Sequence, residues 1–245
     1  MMKVKLVITY DGTNYCGWQV QPDKITVQQV VEDALEKVVG QKLKVIGSGR
    51  TDAGVHAQGQ VAHFETPFEN IPAENFYKAL NIQLPPDVKV LSSERVDDDF
   101  NARRSAKSKT YSYFCYVSNV EQPLKERFAV KLDRQPDIQK MQEVAKILVG
   151  EHDFKCMCSS GSGAKTTVRT VYSINIEQQE KDITFSISGN GFLYNMVRIM
   201  VGILLDVGYG KLTKEYVEKM LSTGERKFSI KTLLPKGLCL MKVEY

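Results

Sequence analysis

The segment GSGRTDAGVHAQG, residues 47–59, gathers the residue types that a reaction needs. Its four glycines let the backbone turn tightly and approach a ligand closely. Arg50 and Asp52 lie two apart within it, and His56 follows. A carboxylate on such a loop serves as nucleophile, general base or metal ligand. The plainer role is an Asx-turn or a helix cap, which accounts for most loop aspartates. Thirteen residues are more than a hairpin connection requires, and long insertions of this kind usually carry function. The phosphate-loop pattern G-x-x-x-x-G-K-[ST] fails here, because the glycines do not match and the segment has no lysine. A metal on Asp52 and His56 would lack a second ligand pair, so no metal site is expected.

Two further segments carry unusual side chains. Phe192 to Leu205 is apolar at nearly every position, which predicts a helix over about 192–207, buried on most sides, with Arg198 in its middle. A buried guanidinium is costly unless an anion satisfies it. Arg198 therefore either makes a structural ion pair with some nearby acid or faces Asp52, keeping that carboxylate ionised. In SAKSKTYSYFCY, bases precede a strand with alternating Tyr111 and Tyr113. Strand tyrosines are usually packing. Tyr111, two residues after Lys109, is alternatively placed to stack on a splayed nucleobase.

Elements that position these residues can be read from periodicity. Val4, Leu6, Ile8 and Tyr10 alternate as a strand. Thr26 opens a helix whose apolar face is Val27, Val30, Val31, Ala34 and Val38, and Gly40 ends it. Strands follow at about 43–47 and 59–66, then a helix from Pro72 to about Asn81 and a strand over 88–96. The second half repeats the order: a strand near 109–117, a helix near 137–149, and strands near 168–178 and 182–189. The helix holding Arg198, a shorter one opened by Thr213 and a closing strand near 238–244 complete it. The expected class is α+β. Two tandem ferredoxin-like (β-α-β-β-α-β) halves, residues 1–104 and 105–245, share a mostly antiparallel sheet with the active-site cleft between them.

Charge and composition limit the function. The 245 residues are 42% hydrophobic and 25% charged, as in ordinary globular chains, with no apolar run of membrane-spanning length. The strand-like opening lacks the apolar core of a signal peptide, so a cytoplasmic location is expected. The five cysteines (Cys16, Cys115, Cys156, Cys158, Cys239) are odd in number and scattered, which reads as reduced thiols. Residues 1–104 carry 12 Lys or Arg against 14 Asp or Glu; residues 105–245 carry 21 against 15. Arg103, Arg104, Lys107 and Lys109 cluster between Phe100 and Leu124, where Glu121 is the only acid. Lys155, Lys165 and Arg169 stand in an acid-free stretch from Phe154 to Ile176. Such stretches suit a phosphate backbone, with solvated loops as the plain alternative.

Together the blocks YDGTNYCGWQVQP with TVQ, GRTDAGVHA, LPPDV, FNAR, SKTYSY, GEHDF, KTTVRT and GFLYNMVR resemble the tRNA pseudouridine synthase A family, in that family's order and over nearly the whole chain. The resemblance implies that Asp52 is the catalytic aspartate and that Tyr111 stacks on the target uracil. It also implies that Arg198 pairs with Asp52 and that Arg50 helps displace the target base and occupy its place. The implied substrate is tRNA, at uridines 38, 39 and 40 of the anticodon stem-loop, and the implied state is a homodimer using no cofactor and no metal. Cys16, the KCMC stretch at 155–158, Cys239 and Met241 depart from the family's usual residues without touching Asp52, Tyr111 or Arg198. Three readings stand beside this one. They are the same chemistry on other RNA uridines, a non-catalytic RNA-binding module, and a glycoside- or nucleoside-cleaving hydrolase. The module would lack the RNP1 pattern and any use for the glycine loop. The hydrolase needs two nearby carboxylates, and the only acid cluster, Asp97 to Asp99, reads as a solvated turn.

Overall fold

A computed structural model of the chain describes residues 1–68, 70–161, 163–226 and 230–245. It has α+β composition and divides into two compact units, one of residues Met1–Lys107 with Cys239–Tyr245 and one of Ser108–Leu238.

In the first unit the chain runs β1 (Met2–Tyr10), α1 (Val27–Val39), β2 (Ile46–Gly47), β3 (His56–Thr66), α2 (Phe76–Gln83) and β4 (Val88–Val96). Alternation along β1 buries Val4, Leu6 and Ile8 completely and Tyr10 almost so, as a half-buried strand demands. β1 is flanked by antiparallel β3 and β4, with Val4 opposite Phe64 and Arg95. Thr26 caps α1 by accepting the Gln29 N–H, and Gly40 closes it in the left-handed region at φ 77°. The buried stripe of α1 is Val27, Gln28, Val31, Ala34 and Leu35; Val30 and Val38 are not part of it. Gln28 tolerates burial because its amide is fully engaged. It donates to Glu32 Oε1 and Val45 O (2.9 and 3.0 Å) and accepts from Val20 N and Gln19 Nε2 (3.1 and 2.7 Å). Pro72 precedes a short 3-10 turn, Ala73–Asn75, rather than entering the helix itself.

The expected strand over 43–47 shrinks to the two residues of β2, whereas β3 begins at His56, three residues early. Long-range pairing sets that start: Ala57 lies opposite Tyr10 of β1. His56 and Ala57 also lie alongside Cys239 and Leu240 of the closing strand, which runs parallel to β3. The loop bearing Arg50 and Asp52 is thereby reduced to residues 48–55.

The second unit contains β5 (Ser108–Val117), β6 (Val130–Leu132), α3 (Ile138–Leu148), β7 (Gly150–Asp153), β8 (Val168–Gln179), β9 (Asp182–Gly189), α4 (Met196–Gly208) and α5 (Lys214–Thr223). The last strand, β10 (Leu238–Glu244), follows. Its sheet runs β5-β9-β8-β7, antiparallel throughout, with β6 parallel to β5. Asp137 and Thr213 cap α3 and α5 by accepting the Lys140 and Tyr216 N–H groups. α4 is the central helix of this unit, with ten of its thirteen residues buried.

Candidate active site

The 48–55 loop is fixed through its backbone. The Asp52 carbonyl accepts the Val55 N–H (3.1 Å), closing a turn whose third residue, Gly54, has φ 76°. On one side the Thr51 carbonyl accepts the Trp18 N–H (3.1 Å), and on the other Gly54 N–H donates to Tyr15 O (3.3 Å). Residues 11–18 thus run against the loop, main chain to main chain. Such an approach requires glycine: a Cβ on Gly17 would lie 2.5 Å from Thr51 O, and one on Gly12 only 2.0 Å from Val55 O. The Tyr15 hydroxyl donates to Asp87 Oδ1 (2.6 Å) and Asp11 N–H to Asp87 O (2.9 Å), which ties the LPPDV block to the same corner.

His56, at the loop's exit, is 5% exposed, and its Nδ1 lies 3.0 Å from Gly12 N and 3.2 Å from Asp11 Oδ1. Gly12 N–H donates to that nitrogen, and the Asp11 carboxylate lies beside it. His56 therefore acts here as a brace for the 11–18 segment. Among the described residues no group of three His, Cys, Asp or Glu side chains is arranged to hold a metal ion. Asp52 itself is half-buried and Arg50 exposed, so the loop buries its backbone contacts and presents its charges.

In the second unit, Tyr111 lies on β5 opposite Ile187, 8% exposed, with its ring edge-on to Phe192 (5.4 Å between centroids, 90° between planes). Phe192 carries no sequence signal that marks it as a site residue, although it belongs to the GFLYNMVR block. Arg198 is placed differently from its expected mid-helix position. Residues 192–195 are not helical, α4 starts at Met196, and Arg198 is the third residue of its first turn, half-buried. The cause is Asn195, whose left-handed φ of 61° stops the helix from extending backwards. Instead of capping α4, the Asn195 side chain accepts from Arg198 Nη1 (2.7 Å) and donates to Ser159 Oγ (3.0 Å). Arg198 Nε donates to Leu233 O (2.7 Å), and the Tyr113 hydroxyl donates to the next carbonyl, Leu234 O (2.7 Å). These two guanidinium bonds, both within this unit, set the plane of the group. Burial raises the Tyr113 pKa, with the nearby Arg198 charge partly opposing it. A cation in the first turn faces the positive end of the helix dipole, so Arg198 is a position that calls for an anion.

Arg103 and Arg104 are exposed, and neither joins an ion pair among the described residues. Their N–H groups both donate to Asn101 Oδ1 (3.0 Å each). The FNAR turn is anchored from below: Ala102 N–H donates to His63 Nδ1 (3.1 Å), and Ala102 O accepts from the Tyr245 hydroxyl (2.8 Å). Lys107 is exposed and Lys109 half-buried on β5. Asp97, Asp98 and Asp99 are exposed on a turn closed by Phe100 N–H to Asp97 O (3.0 Å). A cavity of about 330 Å³ beside that turn includes no residue of the 48–55 loop. The acid cluster does not supply Asp52 with a second carboxylate on the same loop. Among the described residues no helix is long and apolar enough to cross a membrane.

Comparison with known proteins gives a consistent set of relatives. Residues 6–103 and 144–245 match a family model described as tRNA pseudouridine synthase; these stretches include Arg50, Asp52 and Arg198, while Tyr111 falls between them. A tRNA pseudouridine synthase A 2 of Clostridium perfringens is 45% identical over the full length of both chains. A tRNA pseudouridine synthase A of Syntrophotalea carbinolica is 48% identical, covering all of this chain and 97% of its own. That of Acetivibrio thermocellus is 44% identical over the full length of both. A chain from a solved Cbf5-Nop10-Gar1 complex is 13% identical with a TM-score of 0.35, covering 96% of this chain and 56% of its own, which is a slight likeness only.

Proposed function

The chain belongs to the tRNA pseudouridine synthase family, and from that premise we propose that Asp52 is the carboxylate through which it isomerises uridines 38, 39 and 40 of the tRNA anticodon stem-loop. The enzyme class, an isomerase of tRNA uridine, follows from the family. The assignment of Asp52 is carried by one observation: it is a half-buried carboxylate on a loop whose flanking main chain is fixed on both sides.

The reaction breaks the N1–C1′ glycosidic bond, turns the uracil, and joins its C5 to C1′, with the C5 proton lost to solvent and a proton taken up at N1. An ionised Asp52 can attack C1′, attack C6 of the pyrimidine, or remove a proton from the sugar. All three routes need the same charged oxygen held near the extruded nucleotide. Extrusion from the stack costs a few kcal/mol. Arg50, exposed on the same loop, fills the vacated place, and Tyr111 stacks on the uracil with Phe192 supporting its ring. Arg198 pairs with Asp52; its first-turn position on α4, where an anion is stabilising, supports this. Arg103, Arg104, Lys107 and Lys109 contact the RNA backbone, a reading supported by the exposure of the first three. The resemblance of the sequence blocks supports a cytoplasmic homodimer that takes tRNA as its partner, without cofactor or metal. Both halves read as ferredoxin-like units, supported in the first by its β-α-β-β-α-β order and β4-β1-β3 arrangement.

Asp52→Asn tests the proposal. The variant should fold and bind an unmodified tRNA transcript as the wild type does, yet release no tritium from C5-labelled uridine, because an amide is neither nucleophile nor base. Turnover near wild type removes Asp52 from the mechanism. Position-resolved mapping of pseudouridine outside positions 38–40 would instead favour the same chemistry on other uridines.

A further inference from the structure

The loop carrying Asp52 is held by more than its main chain. Ser48 Oγ donates to Gln60 Oε1 (2.7 Å), and Gln60 Nε2 donates to Gly49 O (3.1 Å). The Tyr10 and Thr51 hydroxyls share a hydrogen bond of 2.8 Å. The four side chains are almost dry: Ser48 and Gln60 are 0% exposed, Tyr10 3% and Thr51 6%. Burying polar groups costs stability unless each is satisfied, and apolar side chains could fill this space without that requirement. What a hydrogen-bonded network adds is direction, since its bonds weaken steeply when bent, whereas apolar contacts slide. This network grips residues 48, 49 and 51, the positions surrounding Arg50 and preceding Asp52.

We infer that Tyr10, Thr51 and Gln60 are positioning residues for the isomerisation, acting through the 48–55 loop to orient Asp52 without touching the nucleotide. This rests on Asp52 being the reacting carboxylate. Tyr10 enters from β1 and Gln60 from β3, so the rigid centre of the sheet sets the loop's orientation. Loss of the network lets the loop drift while tRNA still binds through groups elsewhere. A misplacement on the order of 1 Å costs up to about 100-fold in rate.

The experiment compares Tyr10→Phe, Thr51→Val, Thr51→Ser and Asp52→Asn, with kcat and KM from tritium release, tRNA binding, and Tm as the check on folding. Tyr10→Phe and Thr51→Val should lower kcat by about 10- to 100-fold, with KM and tRNA binding within about twofold of wild type. Thr51→Ser, which keeps the hydroxyl, should restore most of the rate that Thr51→Val loses. Wild-type kcat in Tyr10→Phe or Thr51→Val, a change confined to KM, or a loss that Thr51→Ser fails to relieve overturns the inference. If Tyr10→Phe does not fold, the Thr51 pair decides alone. Residual turnover in Asp52→Asn would instead strike the underlying reading. An inactive Asp52→Asn beside an unimpaired Thr51→Val would strike the network only.

Discussion

Substituting Gly17 by alanine puts the backbone-to-backbone seating of the Asp52 loop to a direct test. The new Cβ would stand 2.5 Å from Thr51 O and 3.1 Å from the Asp52 carbonyl carbon. Carbon–oxygen separations settle at about 3.3 Å or beyond, so Thr51 must retreat by about 0.8 Å. The retreat strains the Trp18 N–H to Thr51 O bond, now 3.1 Å, and carries Asp52 with it. Gly17 also has φ 84°, where alanine costs roughly 1–2 kcal/mol, equivalent to a Tm drop of about 2–8 °C in a chain of this size. With Asp52 as the proposed reacting carboxylate, a displacement approaching 1 Å predicts a kcat loss of up to about 100-fold. Tritium release under saturating tRNA gives kcat, a filter-binding titration gives tRNA affinity, and a thermal melt confirms that the variant is folded at the assay temperature. Gly17→Ala with wild-type kcat and an unchanged melt would falsify the claim that the 11–18 segment seats the Asp52 loop.

Two other expectations follow from the same geometry. Replacing Arg103 or Arg104 by alanine should weaken tRNA binding and reduce the slope of log K against log salt by about 0.7–0.9 for each phosphate no longer neutralised; a slope equal to wild type removes that residue from the RNA interface. Acidification should loosen the FNAR turn. Burial, followed by the nearby Lys3 charge, lowers the His63 pKa, and only the neutral ring accepts the Ala102 N–H. Because the folded value lies below the unfolded value of about 6.5, this contribution is complete above that pH and is lost as the pH falls through the folded value. Urea midpoints measured from pH 7.5 down to 5 should decline, and His63→Gln should flatten the decline; parallel curves for the two proteins contradict it.

Local rules made much of the fold legible, and long-range pairing accounts for most departures. Thr26, Gly40 and Thr213 mark helix ends because capping involves neighbours within four residues. The start of β3 at His56 is invisible to such rules, since strands from both ends of the sequence impose it. Gln28 reads as a polar interruption of an apolar face until Val45 and Val20 supply its partners. β7, whose residues GEHD show no alternation, exists only by pairing with β8. At the site, Asp52 could be singled out from its loop composition, and Arg198 from a charge within an apolar run. The apolar run misled about the helix, because one left-handed Asn195 outweighs the propensity of the residues before it. The grip of Tyr10, Thr51 and Gln60 on the loop had no sequence signal: each is an ordinary strand or loop residue, and only the fold brings their bonds to bear on residues 48–51.

The way the loop is held also bears on why an isomerase would need it. A hydrolase can release its product once one bond is broken, whereas this reaction must recapture the same base after it turns. The reacting group has to keep its place through two bond events separated by a rotation. A carboxylate on a loop secured only by apolar packing would wander by the amplitude of that loop. Here the Asp52 turn is tied by main-chain bonds at Thr51, Gly54 and Val55, while dry side chains from two paired strands hold its approach. On the proposed assignment, the half-buried Asp52 and the exposed Arg50 are the parts left to meet a nucleotide. Rigidity in the backbone combined with chemical freedom in two side chains is the arrangement that a detach-and-rejoin reaction requires.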